Sequence, residues 1–268
     1  MDKEFRAHSR VPGLTVGIIA MNESARIAQC VASAAFAEKV IVVDSGSIDD
    51  TVALAQAAGA EVYPYTDWQG FATQRNRLLT HVKTDYLFFL DADEIIPPAL
   101  AQEIAAVVAS GRDEVWEILW TQVAYGRPLT AMRSTGGIKR LFKTASLLRY
   151  EGVVHEAAVM RQPDIPVRRF RTPVLHYSRE TVYDSLKKLA QYVQLGALKR
   201  AEKGKRGGIL RGTASAIAIF LKLYFFRRAF LCGPEGFLFC FFIALECFFR
   251  YVALKYDHLD TKSTAALR

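Results

Sequence analysis

A chain of 268 residues, 51% hydrophobic and 12% aromatic, can bury a core of its own, and it is too apolar to be disordered, collagen-like or low-complexity. Four cysteines without a CxxC pair argue against a disulfide scaffold. The net charge of +8 is uneven. Residues 1–150 hold 15 Lys+Arg and 17 Asp+Glu, a net of −2, while residues 151–268 hold 20 and 10, a net of +10. A basic half of this kind suits nucleic acid or an anionic membrane.

The N-terminus, MDKEFRAHSRVPG, lacks the apolar segment of a signal peptide, which predicts a cytosolic protein. There Cys30, Cys232, Cys240 and Cys247 would stay reduced as small buried hydrophobes. Leu14–Ala20 predicts a buried strand, Ala25–Ala35 a helix, and Lys39–Val43 a second strand ending at Asp44. Asp44-Ser45-Gly46-Ser47 is a turn. Asp49 and Asp50 open a helix that Gly59 stops. Ala60–Tyr63 is a third strand, Gly70–His81 a helix, Tyr86–Leu90 a fourth strand, and Pro97-Pro98 starts the helix Ala99–Ala109. Strict alternation of strands and helices predicts an α/β fold: a mostly parallel, doubly wound, Rossmann-like sheet with helices on both faces. Ligands of such sheets bind beyond the carboxyl ends of the strands. Asn22-Glu23, Asp44-Ser45 and Asp91–Glu94 should therefore converge on one rim.

Beyond Glu114 the pattern changes. Val115–Tyr125, Ile138–Lys143 and Val167–Leu175 read as strands, and Thr181–Glu202 as a helix with Leu186, Leu189, Val193 and Leu198 at helical spacing. Gly207-Gly208 marks a hinge. Ile209–Phe230 and Glu235–Tyr256 are apolar segments separated by Gly233-Pro234. Their charge-free runs, Gly212–Leu221 and Gly236–Leu245, are only ten residues each. They predict a helical hairpin rather than two spans, since a span needs about 20 residues. Its Lys222, Arg227, Arg228, Arg250 and Lys255 would sit at headgroup level, with the phenylalanines beneath. The expected segments are 1–114, 115–206 and 207–268, the last a membrane-associating helical appendage. A homo-oligomer interface is the alternative use of that appendage. Nucleic-acid binding is disfavoured, because the basic residues are interleaved with apolar runs and no helix-turn-helix, zinc or RRM signature is present.

Asp91-Ala92-Asp93 is the sharpest chemical feature. Two carboxylates one residue apart at the end of a buried strand suit a hard divalent cation that neutralises a departing pyrophosphate. Capping of the next helix would explain Asp93-Glu94 but not Asp91.

Together with Asn22-Glu23, Asp44-Ser45-Gly46-Ser47-Ile48-Asp49 and Gln74-Arg75-Asn76, the Asp91–Glu94 stretch resembles the family 2 glycosyltransferases of GT-A fold. Ile48 replaces the usual Thr. Trp68-Gln69-Gly70-Phe71, Arg140-Leu141-Phe142, Val154-His155-Glu156 and the aromatic-basic tail are further similar to the lipopolysaccharide inner-core β-1,4-glucosyltransferases. The resemblance implies that 1–114 is the nucleotide-sugar-binding half and 115–206 the acceptor-binding half, that Asp44 meets the base of a uridine nucleotide, and that Ala20, Asn22 and Glu23 line the nucleoside pocket. It implies that Arg75 approaches the phosphates or the base edge, that Asp91 contacts the ribose or a water on the metal, and that Asp93 ligates Mg2+ or Mn2+. Glu156 is the candidate general base for inverting transfer, the alternative being a partner for nearby arginines. His176 is the candidate metal-shell histidine, against an ordinary structural role. His155 would line the acceptor site. Arg133, Lys139 and Arg140 would meet acceptor phosphates or form a solvated basic face, with Gly136-Gly137 giving a flexible approach.

The expected function is metal-dependent transfer of a hexose, glucose from UDP-glucose, to a lipid-linked glycan such as an inner-core heptose of lipopolysaccharide. The work would be done at the cytoplasmic face of the inner membrane by a peripheral or monotopic enzyme. Transfer to a polyprenyl phosphate or another glycan, and a non-catalytic assembly protein on a nucleotide-binding fold, are the alternatives.

Overall fold

A computed structural model describes residues 10–134, 136–152 and 156–257. In chain order the strands are β1 (Val11–Ala20), β2 (Ala37–Asp44), β3 (Glu61–Pro64), β4 (Tyr86–Asp91), β5 (Glu94–Ile95), β6 (Val115–Ile118), β7 (Trp120–Ala124), β8 (Arg127–Pro128), β9 (Ile138–Lys143), β10 (Leu147–Glu151), β11 (Ala157–Met160), β12 (Val167–Arg169) and β13 (Val174–Arg179). The helices are α1 (Ile27–Ser33), α2 (Thr51–Ala57), α3 (Phe71–His81), α4 (Pro98–Ala109), α5 (Val182–Glu202), α6 (Ile209–Leu221) and α7 (Gly233–Tyr256). The chain divides into two units, one from the residues up to Trp120 and from Thr135–His176, the other from Thr121–Ser134 and the residues from Tyr177 onward. The expected middle segment, 115–206, is thus shared between them.

The first unit holds a seven-stranded sheet in the order β12-β6-β9-β4-β1-β2-β3. β1 is parallel to β2 and β4, β2 to β3, and β12 to β6, while β9 runs antiparallel to both β4 and β6. This is the mostly parallel α/β fold expected. Both faces of the central strands are apolar because both are covered. From β4, Tyr86, Phe88 and Leu90 join one core with α1 and α4, and Leu87 and Phe89 join a second with Leu78 of α3. Gly17 of β1 lets α3 lie close, since a Cβ there would come within 2.5 Å of the Leu78 side chain. Leu78 is fully buried and cannot retreat, so Gly17→Ala is expected to cost about 1–3 kcal/mol of stability by urea unfolding. A change under 0.5 kcal/mol would show that the helix moves freely.

Two expected strands are each split in two. Val115–Tyr125 breaks at Leu119 into β6, which belongs to the seven-stranded sheet, and β7, which pairs with β8. Val167–Leu175 breaks into β12 and β13 where Phe170 turns into the core onto Trp116, ring centroids 4.8 Å apart, just before Pro173, which cannot donate to a ladder.

In the second unit β7 and β8 are joined by Tyr125-Gly126. Both have positive φ, 51° and 78°, the pairing a two-residue hairpin turn demands. Thr181 caps α5, its hydroxyl accepting from the Asp184 amide at 3.0 Å. α6 and α7 form the expected hairpin, with Gly212 against the backbone of Phe248 and Phe220 against Phe237 at 5.7 Å. The break between them lies elsewhere than expected. Pro234 sits in the first turn of α7, where a missing N–H costs nothing. The chain turns instead at Arg228, which adopts a left-handed conformation at φ 63°. Ile209–Phe226 and Ala229–Tyr256, 18 and 28 residues, are each long and apolar enough to cross a membrane by length and composition, a reach the short charge-free runs did not suggest. Only 11% of the first is buried. Among the described residues of this unit, Glu246 and Arg179 form a buried ion pair, and Arg250 one turn on joins Glu246.

Candidate functional site

The register of the parallel strands brings the carboxyl ends into line. Ala20 lies opposite Asp44, and Ile19 opposite Asp91. The Asn22, Asp44 and Asp91 loops therefore share one rim, as the alternating pattern predicted.

The first two loops are stitched to each other. The Asp44 carboxylate is buried and accepts from the Gly46 and Ser47 amides, both at 3.0 Å, and from the Ser47 hydroxyl at 2.5 Å. That hydroxyl accepts from the Asn22 amide at 2.9 Å, and the Asn22 carboxamide oxygen accepts from the Ile48 amide at 2.9 Å. The Glu23 amide donates to Thr51 at 2.7 Å, and the buried Ala20 carbonyl accepts from Ser45 at 2.9 Å. Asp44 thus shapes its own turn, with any base contact using lone pairs left over. Ile48 stands 94% exposed.

The third loop is a charge network. Arg140 of β9 is 2% exposed and makes a two-pronged pair with Asp91, one arm at 2.9 Å and the other shorter, while reaching both oxygens of Glu94 at 3.0 and 3.1 Å. This corrects the expectation for Arg140. It neither projects to an acceptor nor lies on a solvated face, because two carboxylates from the Asp91–Glu94 turn consume its guanidinium. Glu94, 1% exposed, also accepts from the Asp91 amide at 2.9 Å and the Trp120 indole at 2.5 Å. Burial would raise the Asp91 carboxyl, but Arg140 and then Arg75 hold it well below the ordinary range. Burial pushes Glu94 the other way, upward, with Asp91 adding to it against Arg140.

Arg75 of α3 is likewise buried rather than a surface helical arginine. Its guanidinium lies between the rings of Phe89 and Tyr150, at 5.0 and 5.4 Å, and bridges Asp91 Oδ1 at 3.3 Å and Glu156 Oε1 at 3.5 Å. Glu156 is thus paired with an arginine and joined through it to the Asp91 carboxylate. Two neighbours of Arg75 anchor the helix. Gln74 Nε2 donates to Ser45 at 2.9 Å and to the Tyr65 carbonyl at 3.1 Å. Asn76 exchanges two bonds with the Tyr150 backbone, at 2.7 and 3.0 Å. Asn76→Ala should cost about 1–3 kcal/mol by leaving that backbone unpaired, and a loss under 0.5 kcal/mol in chemical unfolding would contradict it.

Asp93 and His176, 83 residues apart, meet at 3.2 Å between Oδ2 and Nε2. β5 pairs with β13 so that His176 lies opposite Glu94. The two side chains are each 27% exposed. Burial alone would lower the His176 imidazole, but the bond and charge of Asp93, then Glu94 and Asp91, raise it above its ordinary value. Among the described residues no group of three or more His, Cys, Asp or Glu is arranged to hold a metal. One carboxylate and one imidazole, with the remaining positions left to phosphate and water oxygens, fit a Mg2+ or Mn2+ site completed by a bound diphosphate. A metal held there would compete with protons for His176. The imidazolium pair with Asp93 stabilises the fold below the ordinary histidine pKa of about 6.5 and fades as pH rises through the raised value. Mn2+ affinity, titrated calorimetrically in the presence of UDP, is therefore expected to increase as pH rises through the neutral range. A flat profile would remove His176 from the site.

His155 lies outside the described residues. Of the buried frame of the arginines, Phe89 and Tyr150 carry no sequence signal for that role, and Glu94 is legible only as part of the Asp91–Glu94 rim. The signal for Arg140 was present, since it shares a face of β9 with Phe142.

The family model for glycosyl transferase family 2 matches residues 15–150. A lipopolysaccharide core biosynthesis glycosyltransferase, LpsC of Rhizobium meliloti, is 29% identical over 84% of this chain and 85% of its own length. A glycosyltransferase of Rickettsia conorii is 28% identical over 93% and 92%. Among solved structures, S. aureus TarS in complex with UDP-GlcNAc is similar with a TM-score of 0.47 and 15% identity, covering 64% of this chain and 60% of that one.

Proposed function

The chain belongs to glycosyl transferase family 2, and from that premise we propose that this glycosyltransferase moves a hexose from a UDP-sugar, UDP-glucose first among candidates, to a lipid-linked glycan with inversion. The observation that carries this reading is the meeting of Asp93 with His176 on the rim, beside a carboxylate, Glu156, that Arg75 holds. A bound divalent ion supplies charge neutralisation for the departing diphosphate, and Asp93 and His176 are the residues that would hold it. Glu156 takes the proton of the acceptor hydroxyl as its oxygen bonds to the anomeric carbon and the bond to the diphosphate breaks. Arg75 orients Glu156, and Arg140 fixes the Asp91–Glu94 turn that presents Asp93. Asp44, Asn22 and Glu23 line the nucleoside side of the rim.

An inner-core heptose of lipopolysaccharide is the favoured acceptor, on the similarity to LpsC. The exposed apolar hairpin and its Lys222, Arg227 and Arg228 favour work on an anionic leaflet, the inner face of the cytoplasmic membrane. The test is release of UDP from a panel of UDP-hexoses by purified protein with Mn2+. Asp93→Ala and chelation should each lower it by about 100-fold or more, several kcal/mol of charge stabilisation being lost. Full turnover by Asp93→Ala would defeat the metal assignment.

A further inference from the structure

The helical unit carries a second cluster of cations, away from the hairpin turn. Six of the thirteen residues from Lys199 to Arg211 are basic and one, Glu202, is acidic. The linker between α5 and α6 is not loose. The Gly208 amide donates to the Tyr251 carbonyl at 2.7 Å, and a Cβ on Gly207 would come within 2.6 Å of that oxygen. Glycines therefore let the linker ride directly on the α7 backbone, which fixes the cations beside them. The result is a cavity of about 530 Å³ lined by Lys205, Arg206, Arg211, Ser215 and Tyr251. Arg200 lies over the Tyr251 ring at 5.0 Å. The first turn of α6 adds the positive end of its dipole. Both carboxylates of α7 are already paired, Glu235 with Arg127 and Glu246 with Arg179 and Arg250.

We propose that this cavity binds a phosphate group, and that its source is an anionic lipid headgroup. The fork of Arg211 and Arg206, with a hydroxyl and a phenol, suits phosphate oxygens. The lipid source follows from what flanks the cavity: Ile209 and Leu210, 53% and 87% exposed, begin a helix whose apolar surface is open to its end. A phosphate held there sits at the foot of an apolar helix, where basic pockets recognise headgroups. The source rests on the membrane reading above; the phosphate chemistry does not.

The test uses the full chain in co-sedimentation with phosphatidylcholine vesicles, with and without phosphatidylglycerol, and in thermal unfolding with inorganic phosphate. Arg206→Ala/Arg211→Ala should weaken binding to phosphatidylglycerol vesicles by about 30-fold, two cations' worth. Arg127→Ala/Lys187→Ala, which removes the same charge elsewhere on the unit, should weaken it several times less. Arg211→Lys should fall between, because it keeps charge and loses the fork. Release of UDP by each variant at the wild-type rate shows that it is folded. Equal losses for the two double variants would overturn the proposal and leave general membrane attraction. Tight binding to phosphatidylcholine alone, unchanged in every variant, would overturn it while keeping the membrane reading. A stabilisation by inorganic phosphate that Arg206→Ala/Arg211→Ala abolishes, without any vesicle binding, would overturn the lipid source and the membrane reading together.

Discussion

Glu156→Gln should lower transfer to acceptor by about 10²–10⁴-fold, the contribution of a positioned base, while UDP binds with unchanged affinity. The amide keeps the shape of the side chain and its oxygen toward Arg75 but cannot take a proton. Glu156 is the carboxylate that Arg75 bridges to Asp91, and its side chain is 21% exposed, so it is both fixed and open to an approaching hydroxyl. Steady-state release of UDP with acceptor present gives the first quantity and calorimetry the second. A variant that keeps more than a tenth of its turnover would remove Glu156 from the role. Loss of UDP affinity would instead mean that the substitution disturbed Arg75 and the donor rim with it.

The largest stability effect belongs to Arg140. Replacing it with leucine leaves the 1%-exposed Glu94 without its ion partner and leaves Asp91 with Arg75 alone. Removing one partner of a buried pair costs about 3–5 kcal/mol, and urea unfolding should show it. Arg140→Lys keeps charge without the fork and should lose less. Adding Glu94→Leu to Arg140→Leu should recover part of the loss, since the stranded charge goes with it. If the double variant is less stable than the single one, Glu94 is held by Trp120 and the Asp91 amide rather than by Arg140. The Asp91 carboxyl, held low by the same arginine, contributes stability above the ordinary aspartate pKa of about 3.9, and that stability fades as pH falls toward its lowered value.

The sheet and the rim were legible because hydrophobic runs and acidic strand ends are local signals. Asp93 and His176 are each legible as candidates, one from D-x-D and one from the family resemblance, which puts a histidine downstream of the base. Their meeting depends on β13 pairing with β5, which no local signal encodes. The sequence points Arg75 at the donor and Arg140 at acceptor phosphates or a solvated face, and nothing in it shows either guanidinium consumed by buried carboxylates. Burial is a tertiary property, visible here only in the faces they share with Phe142 and Leu78. The break at Arg228 escaped for the opposite reason: Gly233-Pro234 is a strong local stop that the fold uses as a start.

Helix α3 carries Gln74, tied to the Asp44 loop through Ser45, and two residues on it carries Asn76, clamped to the backbone of Tyr150. The donor rim and the strand leading toward Glu156 therefore share a single rigid turn. Ligand occupancy on one side should therefore be felt on the other without any hinge. Amide exchange at Tyr150 should slow when UDP binds, and substrates should add in a fixed order, nucleotide sugar before acceptor.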